Sequence, residues 1–278
     1  MVKTAETTFL EKKKLKLIHA LLKRVSVTGQ LRVKQDLNVI GKLDYPSENI
    51  LMALDSTFLT ARTRACQKEP HTVQWIENYI KPSHVLYDVG ANVGAYSLLT
   101  AAKTEKNCQV YAFEPSFSTF ASLCKNIFLN HFQGQITPFQ LGLSNQNGLL
   151  PLHYTNITSG RSLHVLGEPI QDADGERLET EMVQSVMAYR LDDFISLFSL
   201  RQPNHIKIDV DNAVYPVIQG MENTFKRPEL LSVLVELYTQ SENYENSLNL
   251  LQSAGLVLKQ RFNHDESGSL ADHLFVRE

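Results

Sequence analysis

The run His84-Val85-Leu86-Tyr87-Asp88-Val89-Gly90-Ala91-Asn92-Val93-Gly94 decides how this chain folds. A short apolar segment ends in an acid and then in a loop that carries glycines. Residues 94–102 follow with a helical pattern. The segment Val110-Tyr111-Ala112-Phe113-Glu114-Pro115 then repeats the theme, an apolar run closed by a carboxylate. Strand, glycine loop, helix and a second strand ending in an acid are the parts of a nucleotide-binding βαβ unit.

The loop has the form DxGxNxG, with two glycines. A glycine lets the backbone turn sharply and approach a neighbour with no Cβ in the way, and the helix that follows aims free N–H groups outward. A dinucleotide also needs a pyrophosphate cradle, usually GxGxxG. S-adenosylmethionine carries no phosphate and does without the third glycine, so the pattern favours that cofactor over NAD. Asp88 is placed to face its ammonium group. Gly90, Asn92 and Gly94 form the loop, and Glu114 is placed to accept hydrogen bonds from ribose hydroxyls. Ser144, just past the third strand, joins the cofactor set. A doubly wound domain that binds nothing would share the same order of elements; the correctly spaced acid speaks for a ligand.

The 278 residues suit one large domain with an N-terminal extension, divided here into 1–58 and 59–278. A hydrophobic content of 43% supports an ordinary core. A net charge of −3 gives no sign of a nucleic-acid partner. Cys66, Cys108 and Cys124 are scattered with no CxxC spacing, which fits a reducing cytoplasm and neither a disulfide framework nor a zinc site. No apolar run is long enough for a transmembrane helix.

Residues 10–25 read as an amphipathic helix with Leu15, Ile18, Leu22 and Val25 on one stripe and a dense set of lysines. Such a helix packs one stripe on its own domain or makes a peripheral membrane contact at an anionic surface. Residues 27–45 read as a linker or small hairpin. Glu69-Pro70-His71-Thr72 marks a helix start. Strands are expected at 85–88, 109–113, 136–143, 206–209, 231–236, 256–262 and 273–276, the last two as an antiparallel edge pair. Ser116 is expected to cap the helix after the second strand. Two further strands, 149–154 and 181–188, flank a polar loop at 155–180, long enough to suggest a functional or mobile segment. The expected fold is α/β, a Rossmann-like, doubly wound, seven-stranded sheet with a C-terminal antiparallel hairpin, plus an N-terminal helical extension.

Several segments together resemble the FkbM family of S-adenosylmethionine-dependent methyltransferases. They are Tyr87 to Ser97, Ala112-Phe113-Glu114-Pro115, Leu191-Asp192-Asp193-Phe194, and above all Ile206-Lys207-Ile208-Asp209-Val210-Asp211-Asn212-Ala213, which is similar to the family's IKIDVEGAE segment. The resemblance covers roughly residues 60–278 and implies a class I methyltransferase fold and O-methylation of a sugar or other hydroxyl-bearing small molecule. Where the family often has Glu-Gly-Ala-Glu, this chain has Asp211-Asn212-Ala213-Val214, keeping one carboxylate and losing another.

Methyl transfer needs an acceptor held in line with the methyl and a group to take its proton. Asp209 and Asp211 follow the fourth core strand and should reach the crevice at the strand ends. Asp211 is the preferred base, and Asp209 either serves catalysis or binds the cofactor. His164, beside Gly160 and Arg161 in the long loop, is the alternative base, ahead of His153 and His205. Asp209, Asp211 and Glu236 could hold magnesium, but no metal is expected. The expected activity is O-methylation of a small molecule or glycan. The alternatives are N-methylation, or a methyltransferase-like binding or scaffold protein without turnover.

Overall fold

The computed structural model describes residues 8–160, 164–169, 177, 179–211, 214–264 and 266–278. Seven strands form the main sheet in the order Val257–Asn263, Leu270–Val276, Ser232–Tyr238, His205–Ile208, Val85–Val89, Gln109–Phe113, Ile136–Phe139. The five strands from Ser232–Tyr238 to Ile136–Phe139 are mutually parallel. Leu270–Val276 runs antiparallel to both of its neighbours.

The parallel strands are buried on both faces, which is why they read as unbroken apolar runs. Leu86, Val110 and Ala112 face a layer built from Trp75, Leu98 and Leu123. Tyr87, Tyr111, Phe113, Ile206 and Ile208 face the opposite layer, with Phe194 and Ile218. Helices Pro70–Tyr79, Ala95–Lys103 and Phe117–Leu129 thus cover one face, and Leu191–Phe198, Val214–Gln219 and Tyr244–Ser253 the other. Strand order reverses between Val85–Val89 and His205–Ile208. A doubly wound sheet opens its ligand crevice at such a switch point, beyond the carboxyl ends of the strands.

Several local expectations are corrected. The expected third strand divides at Leu141: Ile136–Phe139 stays in the main sheet, and Gly142–Leu143 joins a separate four-stranded sheet with Gly148–Tyr154, Val165–Leu166 and Met182–Tyr189. The long loop is therefore interrupted by a strand. The helix expected from Ala213 to Phe225 is broken at Gly220 into Val214–Gln219 and Glu222–Phe225. A Cβ on Gly220 would lie 2.1 Å from the Ser144 carbonyl oxygen, so the break lets the chain pass against the small sheet. Ser116 starts its helix without a side-chain cap; its hydroxyl turns to Thr119 Oγ1 at 3.3 Å instead.

The N-terminal extension is not uniform. Thr8 and Glu11 form a capping box for Phe9–Leu22, and a second helix, Val27–Asp36, replaces the expected linker. Neither helix buries a residue, so no stripe of the first packs on the domain. Beyond them, Ile40–Lys42 and Leu51–Ala53 pair as a hairpin whose Leu43, Ile50 and Met52 belong to the domain's own core. Asn126 of helix Phe117–Leu129 and its C-cap residue Asn130 accept from the Ala53 and Leu51 amides at 2.8 Å each, so that this part of residues 1–58 is stapled to the sheet layer. No helix among the described residues is long and apolar enough to cross a membrane.

Candidate active site

A cavity of about 340 Å³ opens at the switch point. One end is built by the glycine loop and the end of the second core strand. Gly90 and Ala91 both donate their amides to the Phe113 carbonyl at 3.0 Å, which folds the loop back over the neighbouring strand. Gly90 has φ +81°, and a Cβ there would sit 1.9 Å from the Asp209 carbonyl oxygen. The glycine is thus required by the approach of two loops of this chain, one after each strand flanking the switch point. Gly94 has φ +87° and turns the chain into its helix; a Cβ would collide with Leu123 at 2.5 Å.

Glu114 is buried, and both its oxygens are engaged. Oε2 accepts from the Asn92 amide at 3.0 Å and Oε1 from the Ser116 amide at 2.8 Å. Burial pushes its carboxyl up to about 7, against these two amides, which pull it down. Phe113, Pro115, Leu141 and Leu143 line the same end with apolar surface. A buried carboxylate beside an apolar slot fits a nucleoside: the base in the slot, the ribose hydroxyls on the acid.

The other end is crowded with charge. Lys207, on the central strand, is buried and pairs with Asp209 Oδ2 at 2.6 Å. Burial would lower its ammonium, but Asp209, Glu69 and Asp88 together hold it well above the usual lysine range. Its Nζ also sits 4.9 Å from the Tyr96 ring centroid. Glu69 accepts from the Tyr96 hydroxyl and from Lys68 Nζ, both at 2.7 Å. Glu236 is driven up to about 9 by burial and then by Asp209 and Asp272. Asp272 is only 4% exposed and takes two imidazoles on one oxygen, His71 Nε2 at 2.6 Å and His264 Nε2 at 2.7 Å.

Of the residues singled out from sequence, the structure brings Gly90, Asn92, Glu114, His164, Asp209 and Asp211 to this cavity. It does not bring Asp88, Gly94 or Ser144. Asp88 is sealed beneath the loop, where its Oδ2 accepts from Ser97 Oγ at 2.5 Å and its strand register sets it beside Lys207. It orders the turn from behind. Ser144 is held against the small sheet by the hydrogen bond its amide donates to the Tyr189 carbonyl. His164 packs on Tyr154, with ring centroids 4.8 Å apart. His205 begins the strand His205–Ile208, at the end away from the cavity, and bonds Ser232 and His84, its imidazole lowered to about 3 by burial and then by His84. Arg161, Asn212 and Ala213 lie outside the described residues.

Sequence reading missed Lys207, Glu69, His264 and Asp272. The available signal was a charged residue set inside a short, largely apolar strand, as in Ile206-Lys207-Ile208 and Ala271-Asp272-His273-Leu274. Buried charges persist only where they are paired.

A doubly wound sheet of this order, with a two-glycine loop and a buried acid closing the second core strand, is that of a Rossmann-like methyltransferase that uses S-adenosylmethionine. The match to the family model named "Methyltransferase FkbM domain" spans residues 88–258. The chain belongs to that family. Hexuronic acid methyltransferase AglP of Haloferax volcanii is 24% identical over 206 residues, 74% of this chain and 77% of the relative. The 31-O-demethyl-FK506 methyltransferase FkbM of Streptomyces tacrolimicus is 26% identical over 204 residues, 64% of this chain and 75% of the relative. A crystal structure of methyltransferase FkbM from Methylobacillus flagellatus shares the fold at 13% identity and a TM-score of 0.50. That match covers 79% of this chain but only 53% of the other, so this chain spans about half the length of that structure.

Proposed function

We propose that this chain methylates a hydroxyl group of a small molecule or glycan. The observation that carries the reading is the continuity of the cavity, which runs from Glu114 and Asn92 to Asp209, Asp211 and Glu236. Donor and acceptor then meet in one space with carboxylates at the acceptor side. The names of the relatives, a hexuronic acid methyltransferase and a 31-O-demethyl-FK506 methyltransferase, point the same way.

When bound, S-adenosylmethionine supplies a methyl group already activated on a sulfonium. Glu114 would accept from the ribose hydroxyls, and Phe113 and Leu143 would enclose the adenine. Asp209 is committed to Lys207 at 2.6 Å. Asp211, two residues further into the same cavity, is therefore assigned to take the acceptor's proton, the role for which a carboxylate held in a low-dielectric crevice is suited. His164 lines the same space and is the alternative base.

The test is methyl transfer from labelled S-adenosylmethionine to hexuronic acids, neutral sugars and hydroxylated macrolides, with primary amines alongside. Label recovered as a methyl ether supports the reading. Label recovered only on nitrogen would replace it with N-methylation.

A further inference from the structure

We propose that His71, His264 and Asp272 form a binding site for a first-row divalent cation such as Zn2+, at the acceptor end of the cavity. His71 comes from the first turn of helix Pro70–Tyr79, Asp272 from the strand Leu270–Val276, and His264 from the turn that joins that strand to Val257–Asn263. Their ligand atoms, one from each residue, all lie within 4.8 Å of one another. Two imidazole nitrogens and one carboxylate oxygen are a donor set that suits zinc, manganese or iron better than magnesium.

Four features favour an ion over a hydrogen-bonded cluster alone. Both imidazoles converge on the same oxygen, Asp272 Oδ2, from His71 at 2.6 Å and from His264 at 2.7 Å. An ion with bonds of about 2.0–2.2 Å needs those two contacts to open to roughly 3.3 Å and the two imidazole nitrogens, within 4.8 Å of each other, to draw in toward the same separation. The other ring nitrogen of His264 faces Glu236 Oε2 at 3.3 Å. An outer carboxyl group at that nitrogen orients an imidazole ligand and sets its tautomer. His71 is held flat against Phe262, with ring centroids 4.7 Å apart and planes within 17°, so the ligand ring is already positioned. Finally, Asp272 shares the buried ammonium of Lys207 with Asp209, Glu69 and Asp88, so acids outnumber the buried cation and a further positive charge is favoured.

Three protein ligands leave a further coordination position, as catalytic zinc sites do, and His264 lines the cavity. On the O-methylation reading above, on which this role alone rests, the ion would polarise the acceptor oxygen and ease loss of its proton.

The experiment uses the full chain freed of metal with a chelator and titrated with Co2+, read by visible d–d absorption, with bound Zn2+ counted by elemental analysis. One equivalent per chain is expected. Binding should fall by more than ~100-fold in His71→Ala and Asp272→Ala, beyond the ~10–100-fold cost of losing an outer partner, and by that smaller factor in Glu236→Gln. His71→Cys should restore binding and add a thiolate-to-cobalt charge-transfer band, a signature that a merely structural role for His71 would not produce. His84→Ala, remote from the cluster, should bind as the parent does. No stoichiometric ion in the parent chain, or binding that survives both alanine variants, would overturn the proposal. S-adenosylhomocysteine binding, measured on the same samples, keeps this outcome separate from the donor assignment, because Glu114 takes no part in the cluster.

Discussion

The two ends of the cavity are built on opposite principles. The donor end is made by backbone: the Gly90 and Ala91 amides on Phe113, the Asn92 and Ser116 amides on Glu114, and a glycine pressed against the Asp209 carbonyl. The acceptor end is made by side chains: Lys207 on Asp209, Lys68 and Tyr96 on Glu69, His71 and His264 on Asp272. Backbone shape is shared by any sequence that makes the same turn. A side-chain network can be exchanged piece by piece. On the proposed reading, donor binding falls to the backbone-built part of the site and acceptor choice to the side-chain part, where this chain also departs from its family's pattern at Asp211.

The largest effect should come from breaking the charge network. Lys207→Met removes the buried cation that faces Asp209, Glu69 and Asp88, and leaves carboxylates uncompensated. Destabilisation of about 3–5 kcal/mol is expected from the denaturant midpoint. A loss below ~1 kcal/mol would mean that the acceptor end is solvated, and the contrast between the two ends would fail.

Next comes the division of labour between them. Asp211→Asn should lower turnover by roughly 10²-fold, the scale of losing a general base, and leave S-adenosylhomocysteine affinity within about twofold. Full turnover in that variant would move the proton to His164 or to the His264 end.

A smaller effect follows from Glu114, whose carboxyl is raised to about 7 by burial. A raised acid keeps its proton in the folded chain after the unfolded chain has lost it. Glu114 therefore makes the free protein less stable as pH climbs from the ordinary glutamate value to about 7. Ribose hydroxyls donate to the ionised form, so donor affinity should rise roughly tenfold between pH 6 and pH 8. Glu114→Gln should flatten that rise. A profile equally steep in the variant would assign the titration to another group.

The same contrast explains what the sequence made legible. The donor end lies on one continuous βαβ unit, and Gly90, Asn92 and Glu114 could be named because local spacing encodes them. Asp88 was legible as important but not in its place: an acid ending a strand points to one face or the other by strand parity, and here it faces Ser97 under the loop. The acceptor end joins Glu69, Lys207, Glu236, His264 and Asp272 from five segments, and no local pattern links them. A small hairpin was one of two readings for residues 27–45, but its extent to Ala53 and its docking on the domain were hidden for the same reason, since the anchors Asn126 and Asn130 lie far along the chain.

The account's central claim is that Glu114 holds the donor's ribose at the backbone-built end. Calorimetric titration of S-adenosylhomocysteine into the parent chain and into Glu114→Ala tests it most directly. Loss of two hydrogen bonds to a charged acceptor predicts an affinity at least ~100-fold weaker in the variant, with the fold retained. Affinities equal within twofold would contradict it and place the cofactor elsewhere.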